Sequence, residues 1–146
     1  MSIEVHNHQR AVRLRLPWLR SFARLALEHC REKSADGRFA LRGIEEIEVA
    51  IVSDRVIAGV HERFMHIPGA TDVITFEHGE IVVSAQTAAV QARQHGHPVE
   101  QELALYIIHG LLHLNGYDDL MRSDAARMRR TQQHILQACL ARLPNV

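Results

Sequence analysis

The stretch HGLLHLNGYDD, residues 109–119, places two histidines four apart, a glycine three further on and an aspartate three beyond that. Positions four apart on a helix are neighbours on one face. His109 and His113 would therefore project two imidazoles about one turn apart. That spacing lets both rings share one tetrahedral ion. Gly116 lets the chain end the helix and turn, which places Asp119 to bring a carboxylate oxygen back to the same ion. Three protein ligands leave a fourth position to water, the arrangement of a catalytic site. The chemistry implied is that of a catalytic metal, which lowers the pKa of its bound water toward roughly 7.

Histidine is abundant, at 11 of 146 residues, so a bare HxxxH arises about 0.8 times by chance and carries no weight. Requiring the glycine and a third ligand lowers the expectation to about 0.01. The flanking Leu103, Ile107, Ile108, Leu111, Leu112 and Leu114 mark a largely buried helix, so the competing reading is two core histidines bonded to backbone. The layout HxxxHxxGxxD is close to the metalloprotease pattern HExxHxxGxxH. Gly110 stands where that pattern has its glutamate base, which argues against peptide hydrolysis.

The elements that must position these residues follow from periodicity and punctuation. IEVHNHQRAV reads as a first strand, and Pro17 opens the helix PWLRSFARLALEHC. EIEVAIVS alternates over Ile47, Val49 and Ile51 as a strand, and Ser53 caps the helix DRVIAGVHERFM. DVITFEHGEIVVSA reads as a hairpin turning around His78 and Gly79, and Ser84 caps AQTAAVQARQHG. Pro98 begins the long helix that carries the histidines, and Ser123 is expected to cap a final helix. Helices and strands mix without strict alternation. The expectation is one α+β domain over residues 1–146: a small mixed sheet of about four strands packed with about five helices.

Hydrophobic residues make up 47% of the chain, which excludes a disordered polymer. No apolar run approaches a bilayer span, and the N-terminal residues lack a signal-peptide core; a cytoplasmic protein with no membrane partner is expected. Cys30 and Cys139 fall at apolar helix positions and are read as buried thiols. The formal net charge is +0, so any nucleic-acid partner needs a local basic patch. Arg10, Arg13, Arg15, Arg20 and Arg24 crowd the first segment, and Arg122, Arg127, Arg129 and Arg130 the last. Each cluster is either a solvated face or a phosphate contact.

The wording around the ligands is more specific than their spacing. HGLLHLNGYDD resembles the HGxLHLxGYDH signature of the YbeY family of endoribonucleases, also called rRNA maturation factors. GATDVITFEHGEIVVSAQTAAVQA resembles the family's PTDVLSF stretch with its following strand and Ala-rich helix, and EQELALYIIHG its approach to the first histidine. The resemblance runs from about Ser53 to Tyr117, with matching element order elsewhere. It implies a YbeY-like zinc hydrolase fold, one Zn²⁺ ion on three ligands, cleavage of single-stranded RNA, and roles in small-subunit rRNA 3′-end maturation and ribosome biogenesis with ribosome-associated proteins. His109 and His113 match the first two zinc histidines. The third falls on Asp119, a departure, while Asp118 matches the Asp of GYDH and would orient neighbours. The family's basic residue before PTDV falls on Met65, with Arg63 nearby, and its proline on Ala70.

The reading is a zinc-dependent, single-strand-specific endoribonuclease with ligands His109, His113 and Asp119. No general base is evident. Asp72 in the TDV loop, Glu102 two turns before His109, and Arg63 are the candidates for assisting roles, and a positively lined groove is expected to lead to the metal. The alternatives are a non-catalytic ribosome-assembly or RNA-binding factor with a structural metal, and a generic zinc hydrolase of small substrates.

Overall fold

A computed structural model describes residues Met1–Val146. Strand β1 (Ser2–Asn7) leads to helix α1 (Leu16–Cys30) and, through a single 3-10 turn at Ala40–Gly43, to β2 (Glu46–Val52). Helix α2 (Asp54–Met65), the hairpin β3 (Val73–Phe76) and β4 (Glu80–Ser84), and helices α3 (Ala85–His95), α4 (Val99–Leu114) and α5 (Arg122–Leu140) complete the chain. The sheet runs β1-β2-β4-β3. β1 and β4 both pair with β2 in parallel, while β3 closes the edge antiparallel to β4. The α+β class, with four strands and five helices, is as expected.

The sheet is covered on both faces. Ile47, Val49, Ile51, Ile81 and Val83 point into the main core with α1, α4 and α5. Val52, Ile74 and Val82 point the other way and pack with Ile57 of α2. This explains why β4 reads as the unbroken apolar run IVV instead of an alternation. Ser53 and Ser84 cap α2 and α3 by accepting from the Val56 and Thr87 amides. Two expectations need correction. The first strand ends at Asn7, because the chain leaves the sheet where Gln9 folds back through hydrogen bonds to Asn7 and Val12. Ser123 does not cap α5: the helix starts at Arg122, Met121 holds the extended cap position, and no side chain caps it.

One contact fixes the site-bearing helix on the sheet. A Cβ on Gly110 would lie 2.8 Å from the Ile81 side chain. α4 therefore sits against β4 closer than any larger residue allows. The position that a metalloprotease gives to its glutamate is here spent on packing.

Candidate metal centre and cleft

His109 and His113 lie on the half-buried face of α4, with Nε2 atoms 2.9 Å apart. Each ring is held by its other nitrogen. His113 Nδ1 is 2.8 Å from the Tyr117 carbonyl, and His109 Nδ1 meets the Gln132 side-chain oxygen from α5. A carbonyl oxygen only accepts, so both Nδ1 atoms carry the hydrogen and both Nε2 atoms present lone pairs. Two lone pairs facing each other repel unless a cation stands between them. A proton suits poorly, because burial holds His113 below the usual imidazole range; His109 adds to this and Asp119 opposes it. The pair is thus arranged for a metal ion, with the outer-nitrogen bonds that orient ligating histidines.

The turn after α4 supplies the third donor. Gly116 has φ +94, and a Cβ there would meet the Asp36 carboxyl at 2.9 Å, so the position is closed to side chains twice over. Buried Asn115 fixes the start of this turn. Its amide donates to the Cys30 and Lys33 carbonyls, and its oxygen accepts from the Leu41 amide. Asp118 accepts from the Leu120 amide two residues on. Asp119 then brings a carboxylate oxygen to within 4.8 Å of both imidazole donors. Two imidazoles and a carboxylate fit zinc and its neighbours in the first transition row.

These residues open onto a cleft of about 820 Å³. Its far wall comes from α2 through His61 and Met65, and from the loop and strand Thr71–Thr75. Asp72 therefore reaches the cleft, and its carboxylate also accepts from the Val73 amide at 2.8 Å. Glu102 does not reach it: its carboxylate is turned toward His95 and His97 at the end of α3. Arg63 does not reach it either, since the helical period that brings positions 61 and 65 inward points position 63 away. His61 was missed by the sequence reading. Its signal was the four-residue spacing from Met65, the position that the resemblance marks. His61 Nδ1 is bound to the Gly69 carbonyl at 2.9 Å, which leaves Nε2 as an acceptor.

The expectation of a positively lined groove is overturned at the cleft wall. No arginine or lysine lines it, while Asp72, Glu77 and Asp119 do. Two of the clustered arginines are used elsewhere. Arg20 donates to the Val5 carbonyl, and Arg127 donates to Ala35 and lies over the Tyr117 ring at 5.2 Å.

The family model described as Endoribonuclease YbeY matches residues 4–140. The chain belongs to the endoribonuclease YbeY family. Among curated YbeY proteins, that of Anaeromyxobacter sp. (strain Fw109-5) is 36% identical over 135 residues, covering 79% of this chain and 70% of its own. The endoribonuclease YbeY of Synechococcus sp. (strain CC9605) is 32% identical over 136 residues, covering 82% of each chain. The solution structure of TM1509 from Thermotoga maritima matches with a TM-score of 0.67 and 24% identity, over 97% of this chain and 91% of that one. That likeness establishes the fold. Within the YbeY fold the candidate ligands fall at the end of α4 and in the turn behind it.

Proposed function

We propose that this chain is a metal-dependent endoribonuclease of single-stranded RNA, acting as one domain over residues 1–146, with His109, His113 and Asp119 holding one Zn²⁺ ion. The observation that carries the reading is the pair of Nε2 lone pairs 2.9 Å apart, each ring locked by its Nδ1. Family membership supplies the substrate class. When bound, the ion supplies Lewis acidity toward a phosphoryl oxygen and an acidified water. The chain's own residues do the rest. His61 Nε2 and the Asp72 carboxylate face the cleft and are the groups that can hold a proton during hydrolysis. The wall itself carries no fixed cation, so contacts to the RNA backbone come from arginines outside it, such as the exposed Arg38. The substrate we assign is ribosomal RNA, in the cytoplasm and alongside ribosome-associated proteins, as the resemblance implies.

The lining favours a second reading, a ribosome-assembly factor with a structural metal: three carboxylates and no arginine make poor contacts for a polyanion. One experiment separates the two. Metal content is measured on the purified chain, and end-labelled single-stranded and duplex RNA are incubated with it, with and without chelator. Bound zinc together with chelator-sensitive cleavage of the single strand supports the nuclease. Bound zinc with no cleavage of any RNA overturns it in favour of the assembly factor.

A further inference from the structure

A second group of donors gathers at the start of α4, where Glu102 lies seven residues before His109 and so about 10 Å further along the helix axis. His95 is the last residue of α3, His97 stands in the connection just before Pro98, and Glu102 lies in the first turn of α4. Both imidazoles converge on one carboxylate oxygen: His97 Nε2 lies 2.7 Å and His95 Nδ1 3.3 Å from Glu102 Oε1. We infer that His95, His97 and Glu102 form a second metal site, for one divalent cation of the zinc class, which fastens the end of α3 to the start of α4.

The donor set is two imidazoles and a carboxylate, the chemistry that selects borderline first-row ions. A tetrahedral ion with ligands at its usual bond lengths holds them about 3.3 Å apart. The three donor atoms already lie within 4.8 Å of one another, as they do at the first centre. Glu102 needs a cation for a separate reason. Its side chain is only 6% exposed, and no lysine or arginine pairs with it. A buried carboxylate without a full counter-charge is costly.

A second observation lies beside the cluster. The Tyr106 hydroxyl, one turn on from Glu102, is buried and makes no hydrogen bond of good geometry, with the Glu102 carboxylate as its nearby acceptor. Buried hydroxyls are nearly always satisfied, and a water on the fourth position of a three-ligand site would satisfy this one.

The test uses the full chain stripped of metal and then loaded with Zn²⁺ alone. Bound zinc after desalting and the thermal midpoint are compared for the parent, Glu102→Gln, His97→Gln and His109→Gln. Glu102→Gln and His97→Gln should each bind one equivalent fewer than the parent and lose part of the zinc-dependent rise in midpoint. His109→Gln should lose a different equivalent. If the first centre holds no zinc, the parent binds one equivalent and Glu102→Gln none, so the two readings fail separately. Glu102→Gln and His97→Gln binding as much zinc as the parent would mean a hydrogen-bonded cluster only and overturn the inference. Should these variants not fold, ¹⁵N spectra of the histidine side chains in the unmutated chain decide. His95 Nδ1 and His97 Nε2 should shift when zinc is added, and unmoved signals at saturation overturn the site.

Discussion

Gly110 lies so close to Ile81 that a Cβ on the glycine would stand 2.8 Å from two carbons of that side chain. This contact sets how deeply α4 sits on the sheet, and it adjoins His109. Gly110→Ala should therefore destabilise the chain. Overpacking costs about 1–3 kcal/mol, against a helix-propensity gain of about 1 kcal/mol for replacing glycine. Denaturant midpoints should show a net loss, and Ile81→Val in the same chain should relieve only part of it, because the equally close Cγ2 methyl remains. An unchanged or raised midpoint in Gly110→Ala would show that α4 can lift without cost.

Asp119 is the departure with the most direct consequence. A carboxylate gives the site one negative charge that a third imidazole would not, so the bound water should be less acidic. Asp119→Ala should lose most of its zinc. Asp119→His should keep zinc and cleave faster at neutral pH. Metal content and cleavage across a pH series check both, and full occupancy in Asp119→Ala would assign the third position to another group.

Met65 faces the cleft where the wall has no cation. Met65→Arg should tighten single-stranded RNA binding and steepen the fall of log K with log salt by about 0.7, the slope for one added phosphate contact on a single strand. Arg63→Ala, altering a residue outside the cleft, should leave that slope unchanged. Binding titrations at several salt concentrations read both.

Asn115 joins α1, the 3-10 turn and the end of α4 through two buried hydrogen bonds and one half-buried one. Asn115→Ala leaves the Lys33 carbonyl and the Leu41 amide without partners, each worth about 1–3 kcal/mol when buried, while the Cys30 carbonyl keeps the Lys33 amide. The chain should lose several kcal/mol in chemical denaturation and release zinc more readily, since Gly116 and Asp119 follow directly.

Both thiols should be inert in the folded chain. Burial pushes Cys139 up to about 11 and Cys30 higher still, with Cys139 adding to the shift on Cys30. The folded state thus binds these protons more tightly than the unfolded state, whose thiols titrate near 9.0. The stabilisation is complete below pH 9 and is lost as pH rises toward 11. A thiol reagent at pH 8 should label neither cysteine until denaturant is added, and stability should fall from pH 9 upward.

Local physics was legible in the sequence. The spacing of His109, His113 and Gly116 depends on helix period and turn chemistry, and the capping by Ser53 and Ser84 involves residues within three positions. The α+β class followed from alternation and punctuation alone. The resemblance, carried by the words around the ligands, also gave the family. What the sequence could not give depended on residues far apart in the chain. Glu102 shares a helix face with His109 by period, yet the return of the chain at 95–97 captures its carboxylate before it can serve the cleft. His61 and Asp72 become neighbours of His109 only because α2 and the hairpin fold along the same edge. The arginine clusters counted as a basic surface in the linear chain. Packing turned two of their guanidinium groups, those of Arg20 and Arg127, to the Val5 and Ala35 carbonyls, and left the others on exposed faces away from the cleft wall. Composition fixes how many charges there are, and only tertiary contact decides which of them face the substrate.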